Sequence, residues 1–492
     1  MKNKTYILIA AIAGSTLLSS CSDWFDISPK TDVKAEEFFD TENGFMSALT
    51  GTYLLMTNEE SYGADLSFAL ADQLAQMYDM IPEGAIDRNS IYNYTQSTNG
   101  GYNTKGRLER IWLSSYNIIA NANNLLKWLD KKGEEVLPDE NKRNMIRGEA
   151  LAIRAFIHFD LLRYWGPVNY AGNPDIRSTK CMPYRTVADK SKKPLLPASD
   201  IVAKIITDLE AAKECLAYEE NLDLSAYNIE GDRRFRFNYH AVNATLARVH
   251  NYAGNSSEAK RLALDVIDNC GLDLKNSNDN DPILFGETLC GISVYQMLDN
   301  YTTYFDASDK IQTKYHITFT TLGRIFEING SESDDMRARS AAITRNNDRQ
   351  MAITNKYIDN DNEVIPLIRL PEMYYIVCEN SEGDEASYHI NHVRNRRGIS
   401  SSNDVSCDTP EKRIKALNSE YRKEFYAEGQ YFHFLKSHGL TGELYHCPEV
   451  SLTNENFIFP LPDAEKEYGW TNEEEDTTED EESNEETSTD NL

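Results

Sequence analysis

Apolar side chains recur along much of the chain at the three- and four-residue steps of one helix face. The longest stripes run from Leu108 to Leu126 and from Ile146 to Tyr164. The second stripe stops at Pro167, because a helix interior cannot absorb a proline. Further helices are predicted over residues 35–56, either continuous or broken near Gly44, and over 66–78, 201–216, 239–250, 257–270, 371–381, 386–397 and 410–436. The pattern predicts a mainly α-helical fold.

Two of these predicted helices, residues 239–250 and 257–270, have nearly equal lengths and a short turn between them. Small residues such as Ala244 and Ala259 stand where the helices would approach, and larger residues fill the groove. The pair resembles a tetratricopeptide helix-turn-helix, in which each pair needs a neighbour to bury its other face. A second pair is predicted upstream, so that repeats would span roughly residues 108–270.

Two stretches interrupt the helical pattern. Residues 81–107 contain Gly84, Gly100 and Gly101 together with aromatics that follow no core period. Residues 282–365 are rich in Gly, Asn, Asp and Thr, and they predict a long irregular insertion with a few short strands. Irregular segments on a rigid scaffold commonly carry binding residues.

The first twenty residues have the features of an export signal. Lys2 and Lys4 precede an apolar stretch over residues 6–18, which is too short to span a bilayer stably. It is followed by Leu18-Ser-Ser-Cys21, which resembles the lipobox of bacterial lipoproteins, where the cysteine is lipidated. The alternative is an ordinary signal peptide with a chance cysteine. Residues 1–20 are therefore predicted to be a lipoprotein signal peptide with Cys21 as the lipid attachment site.

The chain of 492 residues is acidic, with a formal net charge of −29. Such a chain repels phosphate backbones, so a nucleic-acid partner is not expected. Eleven acidic residues lie between Glu473 and Asp490, with no apolar residue before Leu492, and residues 471–492 are predicted to be a disordered tail. A tail that binds calcium or a partner is the alternative. Apart from Cys21, the seven cysteines are dispersed, which suggests mostly free thiols with one or two bridges of unknown pairing.

Motifs for catalysis are weak. Glu420, Glu424 and Glu428 would share one helix face. A glycosidase instead needs two carboxyl groups on opposite sides of a cleft. The preferred interpretation is therefore an ion-pair network with Arg394, Arg396 or Arg397. His389 and His392 alone have helical co-ligation spacing, and no acidic ligand accompanies them. Neither a nucleophile elbow nor a phosphate-binding P-loop occurs. We therefore expect no enzyme activity, no metal and no cofactor.

Several segments carry short patterns that occur in a fixed order. They are residues 21–31, 38–53, 149–168, 365–375, 391–398, 420–429 and 459–462. In this order, behind a lipobox, they resemble the SusD/RagB family of outer-membrane nutrient-uptake lipoproteins from Bacteroidetes-type bacteria. The chain departs from the family pattern at Pro371, at Cys378-Glu379-Asn380 and in its acidic tail.

The resemblance implies a single SusD-like domain over residues 21–470, with the irregular insertion at roughly 282–365 and a C-terminal helical part at roughly 366–470. It implies a non-enzymatic protein, lipid-anchored in the bacterial outer membrane and facing the cell exterior. Such a protein captures an oligo- or polysaccharide and delivers it to a SusC-like TonB-dependent transporter. Alternatives within the same uptake system are an oligopeptide-binding protein and a scaffold that binds no nutrient.

Tyrosine is abundant, with 28 residues, and it joins a flat face suited to sugar rings with a hydroxyl that can hydrogen-bond. The family's ligand site is assembled from an early loop and a mid-chain one. The residues expected to contact a ligand are Tyr92, Tyr94, Asn99 and Tyr102 in the first region and Tyr301 and Tyr304 in the second.

Overall fold

A computed structural model describes residues 30–79, 90–92, 94, 103–226, 231–276, 281–306, 315–328, 334–358, 362–440 and 453–469. The predicted signal peptide, Cys21 and the acidic tail lie outside these residues, as do Asn99, Tyr102 and Cys447.

The described chain is mainly helical. Its α-helices are α1 (Lys30–Phe38), α2 (Glu42–Met56), α3 (Leu70–Leu74), α4 (Thr104–Val136), α5 (Glu140–Trp165), α6 (Ala198–Cys215), α7 (Tyr239–Ala253), α8 (Ser256–Asn269), α9 (Met297–Tyr301), α10 (Phe319–Phe326), α11 (Leu370–Glu379), α12 (Gly383–Arg396), α13 (Pro410–Glu424) and α14 (Gln430–His438). The predicted mainly α fold is confirmed, and the two longest helices contain the two longest apolar stripes.

The helices from α4 to α8 pack in chain order, each against the next, and α8 then packs against α11 and α11 against α12. Gly254 ends α7 in the left-handed conformation, with φ of 77°, and the chain turns directly into α8. Glycine suits this position because it lacks the Cβ that makes positive φ costly. Successive antiparallel helices of this kind form the tetratricopeptide-like array that the sequence predicts.

Short strands lie mostly in the insertion. They are β1 (Lys180–Met182), β2 (Leu196–Pro197), β3 (Thr288–Ser293), β4 (Ile317–Thr318), β5 (Ile343–Asn346), β6 (Met351–Thr354) and β7 (Val364–Arg369). All pairings are antiparallel: β1 with β2, β3 with β7, and β6 between β4 and β5. The pair β3–β7 leads into α11 and connects the insertion to the helical array.

The helix predicted over residues 66–78 is wrong for most of its length, because only Leu70–Leu74 is helical. Gln76 has a positive φ of 56°, which ends the helix. Residues 61–78 are buried throughout, so their apolar pattern reflects contact on all sides rather than one helix face.

Two predicted helices are each divided in the structure. The segment 35–56 breaks at Thr41, whose hydroxyl caps α2 by accepting from the Gly44 N–H at 3.1 Å. The segment 410–436 breaks between α13 and α14, where Ala427 and Gly429 both have positive φ. The hydrophobic core nevertheless forms one continuous cluster from Phe39 to Phe459.

Candidate functional site

The mid-chain insertion lies against residues 57–79, which precede the early loop predicted at 81–107. The Asp79 carboxylate accepts from the Thr318 N–H at 2.5 Å, and the Tyr301 hydroxyl donates to the Gly63 carbonyl. Contacts between positions so distant in sequence bring residues 57–79 to the surface that carries α9.

An aromatic cluster fills the space between these regions. The ring of Phe68 lies at its centre, with five other rings at centroid distances of 5.1–5.9 Å. They are Tyr301, Tyr304, Phe305, Tyr315 and Tyr357. Four are buried and Tyr304 is half-buried, so the rings pack mainly against one another.

The first pair of predicted ligand tyrosines is buried. The Tyr92 hydroxyl donates to the Leu74 carbonyl at 2.8 Å and accepts from the Gln76 amide at 3.2 Å. The Tyr94 hydroxyl donates to the Asn456 carbonyl at 2.6 Å. Both hydroxyls are thus used within the fold, and this placement offers no support for ligand contact by either ring.

The second pair differs between its members. Tyr301 is 4% exposed and lies in the aromatic cluster, so its placement also gives no support for ligand contact. Tyr304 is half-buried at the surface, where its hydroxyl donates to the Glu59 carboxylate. Burial, together with the negative charge of Glu59, raises the pKa of Tyr304 well above its usual value. Of the predicted tyrosines that the structure describes, Tyr304 is the most exposed.

Sequence reasoning missed one aromatic residue of the same segment. Tyr295 follows β3 and is 78% exposed. Between it and Tyr304 lie the exposed polar residues Asp299, Thr302 and Thr303. The signal was available, because Tyr295 belongs to the irregular insertion, but nothing in the sequence distinguished it from tyrosines that enter the core.

The three glutamates weighed as catalytic groups form a buried ion-pair network, as predicted. Glu420 accepts from Arg394 at 2.7 Å, and Glu424 accepts from Arg397 at 2.8 Å. Their positive neighbours hold the pKa of both carboxyls well below its usual value despite burial. Glu428 pairs with Arg369 at 2.9 Å. All three carboxylates are buried and held by arginine or lysine side chains, so the arrangement acts as a structural network.

The described residues contain neither a metal-binding cluster nor a membrane-spanning helix. Among them, no three His, Cys, Asp or Glu side chains are grouped closely enough to hold a metal ion. Over the same ranges, no helix combines the length and the apolar character needed to cross a bilayer.

Comparison with protein families gives two matches in order along the chain. A family model described as "Starch-binding associating with outer membrane" matches residues 23–250, and one described as "SusD family" matches residues 293–489. The first match contains the predicted early loop, and the second contains the mid-chain insertion from residue 293 onward.

Curated relatives carry SusD-like names. The chain is 28% identical over 204 residues to SusD-like protein P2 of Formosa agariphila, covering 40% of this chain and 36% of the relative. It is 23% identical over 310 residues to a SusD-like protein of Bacteroides ovatus, covering 58% of this chain and 49% of the relative. The matched segments thus span less than half the length of these relatives.

Solved structures show the same fold at low sequence identity. A SusD superfamily protein from Bacteroides thetaiotaomicron superimposes with a TM-score of 0.69 at 19% identity, covering 87% of this chain and 98% of that one. A SusD-like carbohydrate binding protein from Bacteroides vulgatus superimposes with a TM-score of 0.62 at 17% identity, covering 87% and 96%.

Proposed function

The chain belongs to the SusD/RagB family, and from this premise we propose that it is a cell-surface glycan-binding lipoprotein. It captures an oligo- or polysaccharide and delivers it to a SusC-like TonB-dependent transporter in the outer membrane. It performs no catalysis, and Cys21 carries the lipid that holds it at the outer face of that membrane. The observation that carries the proposal is the ordered match of two family models over most of the chain.

The names of similar proteins support the carbohydrate ligand. One family model is described as starch-binding, and one structural neighbour is named a carbohydrate binding protein. The buried ion-pair network also supports a binding role, because the three glutamates most suited to acid–base work are held by arginines within the fold.

We place the glycan site on the surface of residues 294–306, beside residues 59–63. Tyr295 and the exposed edge of Tyr304 offer apolar faces to the C–H groups of a sugar ring. Asp299 and Thr302 offer hydrogen-bonding groups for sugar hydroxyls. Asn99 and Tyr102 lie outside the described residues, and we include them in the proposed site from the sequence alone.

Affinity electrophoresis of the purified protein through a panel of polysaccharides tests the proposal. Retardation by a glycan is expected, together with weaker retardation of Tyr295→Ala and Tyr304→Ala. Loss of an aromatic platform from a sugar site costs on the order of 1 kcal/mol, or several-fold in affinity. Tyr218→Ala is the matched control, since Tyr218 is also exposed but lies between α6 and α7.

Each outcome has a distinct meaning. Retardation that is unchanged in both site variants would retain the glycan ligand and remove the proposed location. No retardation by any glycan, with heat released on titration of a peptide pool, would replace the sugar by an oligopeptide. Absence of binding to both glycans and peptides would count against capture of a nutrient.

A further inference from the structure

A cavity of about 330 Å³ lies among α5, α7, α11, α13 and α14, within the helical array. This is near the lower end of the range of about 300–1,000 Å³ for small-molecule sites. The exposed residues Gly172, Gly254 and Ser256 lie on its wall, so the cavity opens to the surface. None of the residues expected to contact glycan lines it.

Lys436 is an unusual component of the wall of this cavity. It is 2% exposed, and its ammonium group donates to the Tyr164 carbonyl at 2.7 Å. Among the described residues, no carboxylate oxygen lies within 4.0 Å of the ammonium nitrogen. Lysine is almost never fully buried without a charged partner, because an ammonium group has three protons to satisfy. The ammonium group thus retains capacity for a further acceptor.

Several other polar atoms of the wall residues have no hydrogen-bond partner at all. The Arg248 Nη1, the Tyr252 hydroxyl and the Arg413 Nε are buried atoms with no hydrogen-bond partner, and so is the His433 Nδ1. Arg248, Tyr252 and His433 are each more than nine-tenths buried. Buried polar atoms are satisfied in the great majority of cases, so several exceptions around one cavity call for an explanation.

Carboxylates that line the cavity are already occupied. Glu372 accepts from the Arg248 Nε at 2.6 Å, and Glu379 accepts from His438 at 2.9 Å and from Asn251 at 3.0 Å. Glu372 also accepts from the Arg248 Nη2, so these acids leave Lys436 and the Arg248 Nη1 without a carboxylate. The unsatisfied capacity of the wall therefore consists mainly of donors.

The electrostatic environment agrees with this excess of donors. Burial lowers the pKa of Lys436 well below its usual value. Burial and the positive charges of Arg163, Lys436 and Arg248 lower the pKa of His433 likewise. The positive charges of Arg163, Lys436 and Arg248 repel one another, although the chain as a whole is acidic. A bound negative charge would relieve this repulsion.

We propose that this cavity is a binding site for the oxyanion group of a small ligand, with Lys436, Arg248, Tyr252 and Arg413 as its donors. Oxyanions accept several hydrogen bonds at once, and charge-assisted bonds from lysine and arginine are the strongest of these. A carboxylate, as in a sugar acid, and an inorganic phosphate share this chemistry. The site is independent of the proposed glycan surface, because the two have no residue in common.

Isothermal titration calorimetry of the purified protein with sodium glucuronate, inorganic phosphate and glucose, at matched ionic strength, tests the site. One or both anions are expected to bind, and glucose is not. Glucuronate alone would identify the carboxylate of a sugar acid as the source, and phosphate alone a free oxyanion. Lys436→Met is expected to weaken anion binding roughly tenfold or more, because it removes one charge-assisted hydrogen bond.

Tyr252→Phe keeps the test valid if Lys436→Met does not fold, because it removes only a hydroxyl that has no partner in the fold. It is expected to weaken anion binding several-fold. Tyr426→Phe is the matched control, since the Tyr426 hydroxyl is also buried without a partner but does not line the cavity. Absence of binding by both anions, binding of glucose as tight as that of glucuronate, or anion binding unchanged by both substitutions would overturn the proposal.

Discussion

The imidazole of His158 stacks on the ring of Tyr184, with 3.9 Å between the ring centroids and 19° between the planes. Its Nδ1 lies 2.8 Å from the Arg154 carbonyl, and its Nε2 lies 3.1 Å from the Arg185 N–H. A carbonyl can only accept and an N–H can only donate, so Nδ1 carries the proton and Nε2 accepts. The imidazole of His158 is therefore neutral.

Acid is predicted to destabilise the protein through His158. Burial, with the charges of Arg154 and Arg185, lowers the pKa of His158 to about 3, against 6.5 in its ordinary state. Between these values the unfolded chain binds a proton that the folded chain does not, so stability falls as pH falls below 6.5. The loss approaches about 1.4 kcal/mol per pH unit from this group.

Urea unfolding at pH 7.5 and pH 5.5 measures this effect in the natural protein and in His158→Gln. We expect the variant to be less stable at both pH values but to lose about 1.4 kcal/mol less on acidification, because glutamine does not titrate. Other buried histidines contribute equally to both proteins. Parallel losses in the two proteins would contradict the assignment to His158.

A second prediction concerns the ion-pair network around Glu424. Its carboxylate contacts Arg369 at 2.7 Å, Arg397 at 2.8 Å and Arg337 at 3.0 Å, and all four side chains are nearly inaccessible. Glu424→Gln removes a countercharge that three buried guanidinium groups share, although each keeps another carboxylate partner. We expect a loss of about 3–5 kcal/mol in the free energy of unfolding.

Chemical denaturation of Glu424→Gln beside Asp408→Asn provides the comparison. Asp408 pairs with Lys412 at 2.8 Å, but both side chains are more than half exposed, and a surface pair contributes about 1 kcal/mol or less. Equal effects of the two substitutions would show that burial does not determine the contribution of Glu424.

Local periodicity was sufficient to predict the helices of the array, because each apolar stripe depends only on residues three or four positions apart. It failed for residues 66–78, where the chain is buried on every side and an apolar pattern no longer marks one face. The division near Gly429 was missed for a related reason: the residues on both sides are apolar, and the break depends on positive φ values at Ala427 and Gly429.

The site was harder to predict than the fold. The short strands of the mid-chain insertion were predicted correctly, but Tyr92 and Tyr301 lie in the core, where their hydroxyls donate to the carbonyls of Leu74 and Gly63. Those acceptors lie on separate parts of the chain, and no pattern in sequence pairs them. The cavity around Lys436 was invisible for the same reason, because the absence of a partner is a property of the folded structure alone.

A third prediction compares two glycines. Gly429 has φ of 75°, and a Cβ there would lie 2.5 Å from the Ser67 carbonyl oxygen. Gly51 lies inside α2, where a Cβ would meet nothing within 4 Å. We expect Gly429→Ala to destabilise the protein by more than about 1 kcal/mol and Gly51→Ala to stabilise it by about 0.5–1 kcal/mol. Thermal unfolding of the two variants measures both, and stabilisation by Gly429→Ala would contradict the left-handed geometry.

Cys378 and Cys407 carry free thiols in the structure and are both buried. A hydrogen bond between the two thiols, with burial, raises the pKa of Cys378, and the same hydrogen bond lowers that of Cys407. Cys378 lies in the C-terminal half of α11 and Cys407 in the segment before α13, and each thiol shifts the pKa of the other. The sequence left the pairing of the cysteines open, and this mutual effect points to Cys378 and Cys407 as the pair to test.

We predict that Cys378 and Cys407 form a disulfide when the chain is exported to an oxidising compartment, where a thiol oxidoreductase accepts the two electrons and the two protons are released. Mass spectrometry of an unreduced, alkylated digest is expected to show the linked peptides, with Cys181 and Cys290 alkylated after unfolding. Reduction is expected to lower the free energy of unfolding by about 2–4 kcal/mol, an effect that Cys378→Ser abolishes. Full alkylation of Cys378 and Cys407 in the unfolded, unreduced protein would show that the two thiols stay free.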